Sequence, residues 1–214
     1  MKRVLSGLFL AWCLTVPVRA HVLDQYLQVA KIGLAQDAVR VELHLIAGVQ
    51  VADRIFAMID IDGDGRITPE EEQAYARSVV QDLALEVDGR RVPIALIRTQ
   101  FPSRSEMNEG VGEITLDLTA QAALGIAGAH QVTFRNSHLP ELGMYLANAL
   151  VPDMNDIGIT GQQRDALQRE LRISLQTVAV NDYGRLRWAG VFIISLFLVL
   201  LLLHRKRVWQ LART

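Results

Sequence analysis

Sixteen consecutive uncharged residues, Trp188 to Leu203, run near the C-terminus and are followed at once by His204-Arg205-Lys206-Arg207. A helix rising about 1.5 Å per residue makes that core about 24 Å long, against about 30 Å of bilayer hydrocarbon. Arg187 and Arg205 can snorkel, and Trp188 and Trp209 can sit at the interfaces, to make up the difference. The run is apolar on every face, so a single transmembrane helix over 188–203 is expected rather than a buried soluble helix. Arg205, Lys206, Arg207 and Arg213 lie beyond it. The positive-inside rule then puts the tail 204–214 in the cytoplasm and the preceding chain outside.

The N-terminal end predicts the same topology. Lys2 and Arg3 precede an apolar stretch from Val4 to Val16, which Pro17 and Val18-Arg19-Ala20 close. This is the order of a secretory signal peptide over 1–20, with His21 as the first mature residue. Cys13 is the sole cysteine and would leave with the signal, so the exported domain 21–187 is expected to fold on its core without a disulfide. The sequence Leu10-Ala11-Trp12-Cys13 does not suit lipidation, because Trp12 stands where a lipoprotein signal has a small residue.

Removing the ends changes the charge balance. The whole chain has 22 Lys and Arg against 23 Asp and Glu and is 50% hydrophobic. These values exclude a strongly basic nucleic-acid binder and an intrinsically disordered chain. Residues 21–187, however, retain all 23 acidic residues and only 15 basic ones, a net charge of −8.

Within this acidic region most segments read as short strands. Val39, Val41, Leu43 and Leu45 alternate with Arg40, Glu42 and His44, the period of a half-buried strand. Gln25–Leu34 can pair with it through a Gln36-Asp37 turn. Leu83–Val87, Asp88-Gly89 and Val92–Ile97 read as a hairpin, because Asp-Gly supplies the positive φ angles of a tight turn. Glu113–Leu118, Gln131–Phe134, Met144–Val151 and Leu171–Val178 are further strand candidates. Together they predict a mainly β fold, an antiparallel immunoglobulin-like sandwich.

Between Val49 and Asp82 the period becomes helical, with Val51, Ile55 and Ile59 on one face and Tyr75, Val79 and Leu83 on another. The intervening twelve residues, Asp60-Ile61-Asp62-Gly63-Asp64-Gly65-Arg66-Ile67-Thr68-Pro69-Glu70-Glu71, carry oxygen-bearing side chains at the alternate positions a hard cation needs. This helix–loop–helix, about 49–82, resembles the EF-hand calcium-binding family in its loop over 60–71. The resemblance implies Ca²⁺ as cofactor. It implies ligation by the Asp60, Asp62 and Asp64 carboxylates, the Arg66 backbone carbonyl, Thr68 directly or through water, and both carboxylate oxygens of Glu71. Gly65 would allow the sharp turn, Ile67 would pack the loop, and Thr68 with Pro69 would open the second helix.

His21 offers a different chemistry, since an α-amine and its own imidazole can chelate copper or nickel, completed by His44, His130 or His138. No motif assembles a catalytic site: there is no Gly-x-Ser-x-Gly, Walker loop or His-Glu-x-x-His, and Asp53 and Glu106, which could be drawn together as a carboxylate pair, read as solvated surface. An enzyme is therefore not expected.

Two further segments extend the comparison. His21-Val22-Leu23-Asp24-Gln25-Tyr26-Leu27-Gln28, and Asn136-Ser137-His138-Leu139-Pro140 with Tyr145-Leu146-Ala147-Asn148, resemble uncharacterised bacterial exported proteins with an EF-hand inside a β-rich domain. They are loosely similar to periplasmic domains found beside nickel/cobalt-type permeases. The expected function is that of a calcium-binding module anchored in the bacterial inner membrane by a single pass. Its domain would face the periplasm or extracytoplasmic space and act in a structural or accessory role through a protein partner. The alternative is a copper- or nickel-handling protein using His21.

Overall fold

The computed structural model describes residues 24–152 and 156–178. The expected signal 1–20, His21, the span 188–203 and the tail 204–214 lie outside the described residues. Among the described residues, no helix is long and apolar enough to cross a membrane.

The elements follow in the order β1 (Tyr26–Leu34), β2 (Ala38–Ala47), α1 (Val49–Ile59), α2 (Pro69–Gln81), β3 (Leu83–Val87), β4 (Arg90–Arg91), β5 (Ala95–Gln100), α3 (Arg104–Asn108), β6 (Glu113–Gln121), β7 (Gly128–Asn136), β8 (Gly143–Ala149), β9 (Ile157–Arg164) and β10 (Glu170–Thr177). The chain is mainly β. Its strands form two five-stranded sheets in the orders β5-β6-β2-β1-β8 and β4-β3-β7-β10-β9.

Alternation builds the core. Val39, Val41, Leu43 and Leu45 of β2 are all buried, as their spacing predicts, and join Val132 and Phe134 of β7 and Leu171, Ile173 and Leu175 of β10 in one apolar cluster. Full burial of each such side chain contributes about 1.5–3 kcal/mol, which lets two sheets close without a covalent staple. The helices bury the faces their sequences predict: Val51, Ile55 and Ile59 on α1, and Tyr75 and Val79 on α2.

Strand register fixes where the helices sit. Tyr26 pairs with Ala47 and Gly143, Leu83 with Asn136, and Glu170 with Arg135. The start of β1 and the end of β2 therefore lie together in the first sheet, and the start of β3 and the end of β7 in the second; the hydrogen bond from Asn136 to Gln28 joins these two ends, between which the α1–α2 unit is inserted.

Four features depart from the sequence expectation. The sheets are not wholly antiparallel, because β1 pairs β8 in parallel. The hairpin over Asp88-Gly89 forms, with φ of 52° and 75°, but its second strand is only Arg90–Arg91. Pro93 has no N–H to extend that ladder, and the chain crosses to the other sheet, where Ala95–Gln100 pairs with β6. The strand β9, Ile-Gly-Ile-Thr-Gly-Gln-Gln-Arg, is an edge whose outer half is exposed, so it lacks the alternation that identifies a strand. The short helix α3 starts at Ser103, whose hydroxyl accepts from the Glu106 N–H while the Glu106 carboxylate accepts from the Ser103 N–H, a capping box.

Candidate metal centre

The loop between α1 and α2 is held at both ends. Asp60 closes α1, its N–H donating to the Phe56 carbonyl at 2.9 Å, and Thr68 and Pro69 open α2 as predicted. Gly63 and Gly65 take φ of 73° and 83°, a left-handed region that glycine enters without the penalty a Cβ brings. Ile67 packs against the apolar core.

Within this frame the carboxylates organise the backbone. Asp60 Oδ1 accepts from the Asp64 N–H at 3.1 Å and Oδ2 from the Gly65 N–H at 3.0 Å, while Asp62 Oδ1 accepts from Asp64 N–H at 3.1 Å. From the far end, Glu71 Oε1 accepts from the Ile61 N–H at 2.7 Å. Its Oε2 accepts from both the N–H and hydroxyl of Thr68, at 2.8 and 2.9 Å. Those bonds from the Thr68 N–H and then its hydroxyl hold the Glu71 carboxyl below the usual carboxylate range, despite its burial. Glu71 is therefore an ionised, acceptor-only group at neutral pH.

One oxygen each from Asp60, Asp62 and Glu71 lies within 4.8 Å of the others. Three like charges this close repel one another, and an all-oxygen donor set suits a hard divalent cation such as Ca²⁺ or Mg²⁺ better than a soft one. Asp60 and Glu71 are buried at the base of the group and Asp62 is exposed at its mouth. Asp64, expected as a ligand, is not part of this convergence; its Oδ1 instead accepts from the Arg66 N–H at 2.8 Å and stabilises the turn. Arg66 itself is exposed. The Thr68 hydroxyl donates to Glu71 Oε2, an oxygen of the residue that closes the group.

Beside the loop stands one cation. The Arg104 guanidinium lies 4.6 Å from the centre of the Phe56 ring, 3.8 Å from an Asp53 carboxylate oxygen, and 3.5 Å from where a Cβ on Gly65 would project. Asp53 and Glu106 are separately engaged: Asp53 with Arg104, Glu106 with Ser103.

No protein-family model, curated protein or solved structure matches the chain.

The histidines offered as partners for His21 stand apart. His44 contacts Glu113 through Nδ1 on the outer face of the first sheet, and His130 contacts Asp88 and the Ile126 carbonyl. His138 is buried, with Nδ1 2.8 Å from Asp82 Oδ2 and Nε2 3.2 Å from the Tyr75 hydroxyl. Among the described residues, no histidine joins a group of three potential metal ligands.

The feature that sequence patterning missed surrounds His138. Tyr26, Gln28, Asn136 and Tyr145 belong to the short segments singled out above for their resemblance, and the fold brings them together in one buried network. Gln28 Nε2 donates to the His138 carbonyl at 2.8 Å, as does the Tyr145 hydroxyl at 2.7 Å. Asn136 Nδ2 donates to Gln28 Oε1 at 2.8 Å, and its Oδ1 accepts from the His138 N–H at 2.9 Å. The Tyr26 and Tyr75 hydroxyls lie 3.0 Å apart. Burial pushes the Tyr75 hydroxyl up to about 12 and that of Tyr26 well above its ordinary value, so both keep their protons. The signal in the sequence was a set of polar residues at inward strand positions, notably Gln28 between Tyr26 and Ala30.

Proposed function

We propose that this chain is a calcium-binding module of the EF-hand type, carried on an immunoglobulin-like sandwich. It is exported through the 1–20 signal, anchored in the bacterial inner membrane by 188–203, and acts extracytoplasmically as a structural or accessory partner of another protein. The observation that carries the calcium reading is the convergence of Asp60, Asp62 and Glu71 oxygens in a loop closed by two helices. Its supports are the positive φ at Gly65, the inward Ile67 and the mutual capping of Thr68 and Glu71. Two face-to-face sheets with a shared core support the sandwich reading.

A single loop of this kind is expected to bind Ca²⁺ with a dissociation constant on the order of 10⁻⁴–10⁻³ M, suited to an external calcium supply. With one such loop among the described residues, the role is stiffening rather than exposure of a shared groove. Ligand binding to the folded state alone stabilises it by RT ln(1 + [L]/Kd), about 1.4 kcal/mol at ten times Kd.

Calorimetric titration of the full chain with Ca²⁺ tests this. One ion per chain, binding lost in Asp60→Ala, and a melting temperature that rises with Ca²⁺ are the expected results. A full chain that binds no Ca²⁺ at millimolar concentration, or an Asp60→Ala variant that binds as well as the parent, would overturn the calcium reading.

A further inference from the structure

We propose that the seam between the two sheets sets the affinity of the calcium loop, with Tyr75, Tyr26 and His138 acting as positioning residues for Glu71. The inference rests on the calcium reading above and adds to it a source of regulation.

Glu71 and Tyr75 are one turn apart on α2 and so share a helix face. Glu71 points its carboxylate at the aspartates, and Tyr75 points its hydroxyl into the seam. There the hydroxyl meets Tyr26, from the first strand of one sheet, and His138, just beyond the last residue of β7 in the other. The aromatic rings reinforce the contact edge to face: Tyr75 with His138 at 5.7 Å between centroids and Tyr26 with His138 at 6.2 Å. The seam also holds the far end of the helix. Asp82, the C-cap of α2, accepts at its side chain from His138 Nδ1 and at its carbonyl from the Ser137 N–H at 3.0 Å.

The order of protons in this chain is determined by its end. Asp82 is an acceptor, so Nδ1 of neutral His138 carries the hydrogen and Nε2 accepts. Tyr75 must then donate to His138, and its oxygen is left to accept from Tyr26. Every hydroxyl and ring nitrogen is used, and each lies in a residue at most 5% exposed. Removing one hydroxyl leaves a buried partner unpaired, which costs more than the bond itself contributed.

A rigid helix turn transmits that anchorage directly. With α2 gripped at Tyr75 and Asp82, the turn that carries Glu71 is fixed by the fold in a place that sets its carboxylate beside those of Asp60 and Asp62. A site organised in advance loses less freedom on binding and so binds more tightly. Coupling is reciprocal: whatever loosens the seam weakens calcium binding, and bound calcium protects the seam.

The test compares Ca²⁺ titrations of the full chain and of Tyr75→Phe, His138→Gln and Leu175→Ala. Leu175 is a core residue of β10 at the opposite end of the sandwich, near Gly128 rather than Asn136 in the β7 register. The expected result is an affinity reduced about tenfold in Tyr75→Phe and His138→Gln, with Leu175→Ala within twofold of the parent although it melts lower. Where one seam variant does not fold, the other gives the reading. Calcium binding by the parent with unchanged affinity in the folded seam variants overturns this inference and leaves the calcium reading standing. An affinity loss in Leu175→Ala that matches its loss of stability also overturns it. Absence of binding by the parent removes both.

Discussion

Thr68 and Glu71 cap each other. The Thr68 hydroxyl accepts from the Glu71 N–H at 3.3 Å, and the Glu71 carboxylate takes both the N–H and the hydroxyl of Thr68. The carboxylate proposed to close the cation site is therefore also the first stabilising contact of α2.

That double duty separates by substitution. Thr68→Ala removes an N-cap and is expected to cost about 1 kcal/mol of stability, measured by urea unfolding of the calcium-free chain. Glu71→Gln retains a side chain able to cap but loses the charge. It is expected to keep the helix content of the parent by circular dichroism while losing calcium binding. Retained calcium binding in Glu71→Gln would remove that residue from the site.

Acid should act through His138. Burial lowers its pKa, against the opposing pull of Asp82 and Glu141. The unfolded chain then takes up a proton at about pH 6.5 that the folded chain still refuses, so stability falls as pH drops below that value and levels off below the folded pKa. Protonation would also reverse the Tyr75 hydrogen bond and leave the Tyr26 hydroxyl hydrogen without an acceptor. His130 has the opposite sign: its hydrogen bond to Asp88 raises its pKa, a stabilisation complete below pH 6.5 and lost as pH rises through the folded value. The melting temperature of His138→Gln is expected to fall less between pH 7 and pH 5 than that of the parent. A parallel fall in both would assign acid sensitivity elsewhere.

The Asp88-Gly89 turn supplies a backbone test. Gly89 has φ of 75° with nothing within 4 Å of a built Cβ, so Gly89→Ala meets conformational strain and no clash. A cost of about 1 kcal/mol in urea unfolding is expected. A neutral substitution would show that the hairpin turn relaxes to another type.

Arg164 ties the two sheet edges together. From β9 it donates through Nε to the Ala147 carbonyl of β8 at 2.9 Å, and through Nη2 to Asn148 at 2.8 Å. Arg164→Ala frees acceptors on an edge strand, a template for pairing with another chain. Increased self-association of the full chain in detergent, read by sedimentation velocity, is the expected outcome. An unchanged sedimentation profile would deny Arg164 that protective role.

The elements that were legible in the sequence are those with local signals. Val39 to Leu45 announces β2 by alternation, Asp88-Gly89 announces its turn, and the change of period at Val49 announces the helical unit. Pro93 carries the local signal for the break, since it has no N–H to extend the hairpin, and β5 pairs in the other sheet. The exposed edge β9 gives almost no pattern to read. At the site, the spacing of Asp60, Asp62 and Glu71 anticipates their convergence, while the Asp64 carboxylate accepts from the Arg66 N–H of its own turn. The seam was the least legible part, because Gln28, Tyr75 and His138 acquire meaning only once three distant segments meet.

The parallel pairing of Tyr26 with Gly143 also has a kinetic side. The helices and the β1–β2 hairpin use near neighbours and can form while the rest of the chain is still being delivered, but β8 and the seam must await its later half. The metal loop is expected to exist first as an unbraced helix pair and to gain its grip on Glu71 only in the last stage of folding. A chain interrupted before His138 would then carry Asp60, Asp62 and Glu71 without the seam proposed to position Glu71.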